Sequence, residues 1–600
     1  MATEISDWND LDNVRNDLTG DYVLVNDLDS GTAGYAGIGD DFEPIGFIED
    51  EDNTSEFGGS FDGDGFQISD LVIEYDDESD IALFASTDTG AMIENLSVGG
   101  SVTVTNAGFN YAGLVGFHDG GTIQNCVSHV DVTSDGERVG GLVGQNSDTL
   151  TDSYATGSVE GVEDVGGLVG NNSDTVTESY ATGSVEGDER VGGLVGTNGD
   201  TVTDSYATGS VEGNDDVGGL VGRNLDTVTE SYATGSVEGG DQAAGGLVGF
   251  NNDTVTDSHA TGSVEGDERV GGLVGDNGDT VTDSYATASV EGDERVGGLV
   301  GQNRDTIQTS YAVGLVTGNE DVGGLCSDVF DQGTVTDSYW DTETSAQLTS
   351  DGGTGLTTAE MQGSEVETNM DGFDFSNVWS TVEQEENPEI DGLVPEENGY
   401  PILLSVDLEN QLDAQNIALV QPFNLSVQTN AATDIGNFAA TLNGELVELD
   451  AEATDADVFF QFGESVEQNQ TPTQTLTEPA TFDQLIDELE PNTTFEFRAV
   501  AEAQDEENET FTDEGDILTF DTEIVTVDGT ITLDETAAEN ADVIVHNLTQ
   551  DTFEGRLSTD TNGEYSVDLP DANREDTVAV AVDFADGLER YGRLITTVLE

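Results

Sequence analysis

The sequence predicts an all-β protein, a right-handed parallel β-helix (a solenoid) followed by two small β-sandwich domains. Three observations carry that prediction. A segment close to DSYATGSVEGDERVGGLVG recurs, placing Leu114, Leu142, Leu168, Leu194, Leu220, Leu247, Leu273, Leu299 and Leu325 at intervals of mostly 26 residues. Each unit contains short β-prone runs separated by Asn, Asp and Gly, and no 3.6-residue apolar period marks a helix. Beyond the last unit the pattern changes to alternating strands about 8 to 12 residues apart, the spacing of a sandwich.

Within one unit the runs are Thr201-Val202-Thr203, Gly209-Ser210-Val211 and Val217-Gly218-Gly219-Leu220-Val221. Runs this short form no stable sheet alone. Stacking each on its copy in the next unit satisfies the backbone and buries the Val and Leu positions continuously, at about 4.8 Å per coil. A propeller needs about 40 residues per blade, more than the unit supplies. The glycines beside Leu220 permit a tight turn, and Asn198-Gly199-Asp200 signals another on the far side. Cys126 and Cys326 then lie several coils apart, too far to pair.

Composition narrows the function. The chain holds 126 Asp and Glu against 12 basic residues, all arginine, for a formal net charge of -114. Nucleic acid and anionic membrane are therefore excluded as partners, since both are bound through Lys and Arg. The acid excess reads as adaptation to molar salt, where a carboxylate surface stays hydrated and its self-repulsion is screened. No run approaches the roughly 18 apolar residues of a membrane span. The opening MATEISDWNDL has neither a basic n-region nor an apolar core. Direct membrane insertion is thus not expected, and a cytoplasmic location stands as the alternative to a surface one.

The repeated GGLVG with its preceding SYATGSV resembles the GLUG motif of bacterial and archaeal surface proteins and adhesins. Upstream, Phe42-Glu43-Pro44-Ile45-Gly46 and the run from Gly58 to Phe66 are similar to that family's opening coils. Downstream, Ser338 to Thr344 and Gly355 to Met361 are similar to its closing segment. The resemblance implies an adhesion or structural role at the surface of a halophilic archaeon.

Residues 1–345 are assigned to the β-helix, 346–406 to its C-terminal cap and 407–421 to a linker. In the cap, a short helix over 357–362 and the run from Gly399 to Leu404 are expected to cover the open end of the solenoid. Residues 422–524 resemble a fibronectin type III domain around Leu489 to Ala499, with Phe495 where that family has its corner tyrosine. Residues 525–600 are similar to carboxypeptidase-regulatory or Cna-B-like sandwiches around Ser558 to Val567. A chain without lysine has no route to the isopeptide crosslink of some Cna-B domains.

Neither HExxH nor a GxSxG elbow is present. The competing class is a polysaccharide-degrading enzyme, a lyase or glycoside hydrolase, on the same scaffold. It requires a groove with a close carboxylate pair amid aromatics and a few basic groups, and the uniform repeats offer no obvious cleft.

Two columns are the candidate binding sites. Asp148, Asp174, Asp200, Asp226, Asp253, Asp279 and Asp305 stack carboxylates at one position, a candidate Ca²⁺ or Mg²⁺ site if neighbouring coils converge on an ion; no cofactor is otherwise required. Tyr154, Tyr180, Tyr206, Tyr232, Tyr285 and Tyr311, continued by Tyr339 and interrupted by His259, form either a solvent-facing stripe suited to sugar rings or a ladder packed between coils. Two further acidic columns run through Glu160, Glu186, Glu212, Glu238, Glu265 and Glu291, and through Asp152, Glu178, Asp204, Glu230, Asp257 and Asp283. The expected partner is a cell-surface glycan or surface-layer protein, with self-association also open.

Overall fold

A computed structural model describes residues 2–46, 56–76, 80–330, 332–384, 398–415, 425–449, 468–504 and 510–530 without a break, with shorter described stretches between these and on to Val598. The chain divides into two compact units, residues 1–421 and 422–600.

The first unit is a solenoid of three parallel sheets. One coil contributes Val202–Thr203 to the first sheet, Tyr206–Ala207, Val211–Glu212 and Asp215–Gly218 to the second, and Val221–Asn224 to the third. Each strand pairs in register with its copy one unit on: Val202 with Val228, Tyr206 with Tyr232, Val211 with Val237 and Val221 with Val248. The repeat thus acts as predicted, every coil templating the next. All nine leucines of the repeat are 0% exposed and form one continuous core with the inward valines.

Two local features differ from the sequence reading. The run from Val217 to Val221 is not one strand: it ends at Gly218, turns through Gly219 and Leu220, and resumes at Val221 in another sheet. The glycines there are required for space and not for a left-handed backbone. A Cβ on Gly218 would lie 2.0 Å from the Val221 carbonyl oxygen, and one on Gly219 would lie 2.0 Å from that of Gly246 in the next coil. The left-handed corners fall elsewhere, on Asp152, Glu178, Asp204, Glu230, Asp257 and Asp283 (φ 44 to 49°), and on Arg138, Asp164, Arg190, Asp216, Arg269, Arg295 and Asp321 (φ 49 to 60°). Asp tolerates this region because its short polar side chain bonds locally, so part of the acidity serves the turn itself.

At the N-terminal end, Asp7 caps the short helix Trp8–Asp12 by accepting from the Asn9 and Asp10 amides, and the helix buries Trp8 and Leu11 in the core. At the other end, the residues that cross the last coil belong to the stretch after Trp340. Ser350 Oγ accepts from the Leu325 and Cys326 amides (3.2 and 2.9 Å), and Thr354–Leu356 adds a final parallel strand to Tyr339–Asp341. Met361, Val366, Met370, Phe373, Trp379, Leu403 and Val406, of the segment expected over that open end, instead pack against the outward tyrosines of the second sheet.

The second unit begins with a three-stranded antiparallel sheet, Leu425–Thr433, Ala440–Leu449 and Ala480–Ile486, and a larger one built on Ala456–Gly463, Thr494–Gln504, Thr510–Glu514 and Leu518–Asp521. Phe460, Phe482, Phe497 and Phe520 share one core with residues of both sheets, and the Phe495 ring stacks on Phe520 at 5.5 Å. Further antiparallel strands follow, among them Val525–Thr530 paired with Glu564–Leu569, and Asp542–Asn547 between Thr552–Ser558 and Thr577–Asp583.

Candidate functional site

Each ladder tyrosine opens a two-residue strand of the second sheet. Strand alternation sends the following alanine inward, Ala155, Ala181 and Ala207 being 1% exposed or less, and the tyrosine outward. In-register pairing then sets ring on ring. Centroids are 4.5 Å apart for Tyr154 and Tyr180, 4.7 Å for Tyr180 and Tyr206, and 4.9 Å for Tyr206 and Tyr232, with planes within 6° of parallel. The stack continues through His259 (5.1 and 4.8 Å) to Tyr285 and Tyr311 (5.0 Å). His129 closes its upper end, edge-on to Tyr154. Ring faces are therefore occupied by neighbouring rings.

The column lies on the outside of the coils, yet only part of it meets solvent. Tyr154, Tyr180 and Tyr206 are half-buried, whereas Tyr232 is 9%, His259, Tyr285 and Tyr311 are 0% and Tyr339 is 5% exposed. The cover is the chain itself: Met361, Val366, Met370, Phe373, Trp379, Leu403 and Val406 pack with these rings in one cluster. Tyr285 donates its hydroxyl to Gln411 Oε1 (3.0 Å), Tyr311 to the Pro401 carbonyl (2.6 Å) and Tyr339 to the Asp371 carbonyl (3.0 Å). Burial raises the pKa of Tyr285 and Tyr311 well above the ordinary phenol value. His259 has no hydrogen-bond partner on either ring nitrogen, and burial pushes its pKa down to about 3.

The seven aspartates of the proposed cation column sit one residue before the threonine that leads into the first-sheet strand of each coil. Their carboxylates accept from the next threonine, as Asp148 does from the Thr149 amide (2.8 Å) and Asp200, Asp226, Asp253, Asp279 and Asp305 do from threonine hydroxyls (2.8 to 3.1 Å). Asp174 accepts from the Thr175 amide. Among the described residues, no three or more His, Cys, Asp or Glu side chains converge on a point that would hold a metal ion. The glutamates from Glu160 to Glu291 are exposed and paired in register, so carboxylate does stand above carboxylate.

Three polar ladders went unnoticed in the sequence. Asn146, Asn172, Asn198, Asn224, Asn251, Asn277 and Asn303, each 1% exposed or less, pass Nδ2–H to the next Oδ1 at 2.8 to 2.9 Å. Ser153, Ser179, Ser205, Ser231, Ser258, Ser284, Ser310 and Ser338 form a second ladder, each Oγ accepting the amide of the serine one coil back; Cys126 takes the serine position one coil earlier. The third is a corner that gathers six of the chain's 12 arginines, Arg138, Arg190, Arg223, Arg269, Arg295 and Arg304.

That corner also contains a pair of neighbouring acids, Asp216 and Asp276. Burial raises Asp216 to about 6, with Asp276 among the charges adding to the shift. Asp276 is 0% exposed, however, and its Oδ2 is held by Arg269 (3.2 Å) and Arg304 (2.6 Å), so it is not presented to a substrate. Both cysteines are buried free thiols with pKa pushed up to about 12 by burial, which makes them poor nucleophiles. Among the described residues no helix is long and apolar enough to cross a membrane.

Comparison with known proteins agrees with the repeat. Residues 135–160, 187–212, 213–238 and 240–265 match the GLUG motif. The chain is 35% identical over 158 residues to halomucin of Haloquadratum walsbyi, an alignment covering 25% of this chain and 2% of that much longer protein. Among solved structures, the sensor domain of the anti-sigma factor RsgI4 of Pseudobacteroides cellulosolvens aligns at 15% identity over 16% of this chain and 94% of its own (TM-score 0.13). The BSP domain of a biofilm associated protein aligns at 12% identity over 34% of this chain and 56% of its own (TM-score 0.13). Superposition that weak adds nothing to the assignment, which rests on sequence match and register: this chain carries a tandem array of GLUG motifs wound as a β-solenoid.

Proposed function

We propose that the protein is a non-enzymatic, extracellular or cell-surface adhesion and structural protein of a high-salt environment, binding envelope glycans or other surface proteins. The observation that carries this reading is the uniform outer surface of the solenoid. Exposed glutamates stand in register over six coils, while six of the seven arginines of residues 1–421 are gathered at one corner and spent on local contacts. Such a surface is suited to holding water and to staying soluble where salt screens its charge. Kinship over part of the chain with a protein named halomucin supports the placement.

Incubating purified protein with halophile cell envelopes and a panel of glycans in molar NaCl tests the binding role. Saturable retention on envelopes is expected, with no turnover of polysaccharides or peptides. Reproducible product lost on a single Asp or Glu substitution would overturn the non-enzymatic reading, and absence of envelope retention would overturn the adhesive one.

A further inference from the structure

Among the described residues, the covering segment packs on the tyrosine ladder from Tyr206 onward and leaves Tyr154 and Tyr180 half-buried. Beyond Tyr154 the same register position is held by Val127 and Ser97. There, past the edge-on His129 ring, the face opens into a recess of ≈ 490 Å³ lined by Asp64, Phe66, Asn95, Leu96, Asn125 and Val127. From Ser97 to Tyr180 the strip is about 14 Å long at about 4.8 Å per coil.

The covered end shows what this surface accepts. Its hydroxyls donate to two main-chain carbonyls and one side-chain amide oxygen, and its ring edges pack against Trp379, Phe373, Leu403 and Val406. Residues 357–406 contain many acids and no basic residue, so recognition there is apolar and carbonyl-based and not ionic. Sugar rings bind aromatic residues through ring faces, and here those faces are stacked on one another.

We propose that the strip beyond the covering segment, Tyr180 and Tyr154 with the recess beyond, docks a polypeptide segment rich in large apolar side chains, laid along the ladder as the chain's own covering segment is laid along the other end. This deepens the surface-binding reading and rests on it. It names the partner as protein and not glycan.

The test uses the full chain in molar NaCl and a fluorescent peptide with the sequence of residues 398–412, which includes Pro401, Leu403, Val406 and Gln411. Saturable binding is expected. Tyr180→Ala should weaken it about tenfold, and Tyr180→Phe, which keeps the stack and removes a donor, about fivefold. Neutral oligosaccharides should not compete. Absence of saturable binding, or undiminished binding by a Tyr180→Ala protein that melts like the parent, overturns the proposal. If that variant does not fold, Tyr180→Phe and Tyr154→Phe decide in the same way. Competition by an oligosaccharide that Tyr180→Phe abolishes would give the strip to a sugar instead. Envelope retention without peptide binding would sink this inference and leave the surface role standing.

Discussion

Acidification should loosen the cover over the ladder, and His259 makes the effect calculable. Its folded-state pKa is depressed to about 3 by complete burial between Tyr232 and Tyr285, against an ordinary value of 6.5. Between those values the unfolded chain binds the proton and the folded chain does not. The contribution of His259 is therefore fully present above pH 6.5 and is lost progressively as pH falls toward 3. The loss amounts to about 2 kcal/mol at pH 5 and about 3 kcal/mol at pH 4. His118, pushed down to about 4 by burial, adds a parallel slope, while protonating surface carboxylates relieves repulsion and works in the opposite sense. The informative quantity is accordingly the difference between the parent and His259→Phe, which keeps a ring in the stack and removes the titrating nitrogens. Denaturant unfolding in molar NaCl at pH 7.5 and pH 5, followed by the fluorescence of the three tryptophans, Trp8, Trp340 and Trp379, is the assay, with Trp379 the one in the cover. That indole lies 6.2 Å from Tyr285 and 5.7 Å from Tyr311 and so reports on the cover directly. The variant should gain about 2 kcal/mol on the parent between the two pH values. Identical pH slopes would refute the reasoning.

The remaining predictions concern the solenoid itself. Asn224→Ala should cost about 3 kcal/mol, because Asn224 donates to Asn251 Oδ1 (2.9 Å) and accepts from Asn198 (2.9 Å), both buried, and donates to the part-buried Asp226 carbonyl (2.5 Å); a loss below about 1 kcal/mol by denaturant unfolding would contradict it. Thr309 is a β-branched residue held at φ 44° in a column otherwise filled by Asn, Asp and Glu, so Thr309→Asn, whose amide can still donate to Asp283 Oδ1 as the Thr309 hydroxyl does (2.6 Å), should stabilise by about 1 kcal/mol, and a lowered melting temperature would count against the strain argument. Circular dichroism melting should show the solenoid loosening below a few tenths molar NaCl, and a flat melting temperature would refute the stacked-acid account. Extra protection by CaCl₂ over NaCl at matched ionic strength is expected if the Asp148-to-Asp305 column binds the ion, and equal protection removes that site.

Much of the fold was legible because period translates directly into register. Once Leu194, Leu220 and Leu247 are aligned, Tyr206 must lie beside Tyr180 and Glu212 beside Glu186. The same alignment contains the ladders that were missed. Asn172, Asn198 and Asn224 recur at 26 residues, as do Ser179, Ser205 and Ser231, and Arg138, Asp164, Arg190 and Asp216 alternate in sign at that spacing. They escaped because Asn and Ser beside Gly and Asp read as turn residues, and polar groups are normally placed outside. Here each amide finds its partner in the identical residue above, which satisfies it inside the core. The corner within GGLVG was hidden because β propensity says nothing of a backbone bend. The covering segment was beyond local reasoning altogether: Tyr285 meets Gln411 across 126 residues, and nothing in either neighbourhood announces the other.

The central claim is that this chain belongs to the outside of a cell living in high salt, and surface exposure on intact cells tests it most directly. Cells carrying the protein, kept in molar NaCl to preserve the envelope, would be treated briefly with a salt-tolerant protease and the released peptides identified by mass spectrometry. The account predicts that peptides of this chain appear in the released fraction while cytoplasmic marker proteins remain inside. Protection of the whole chain until the cells are lysed would contradict it.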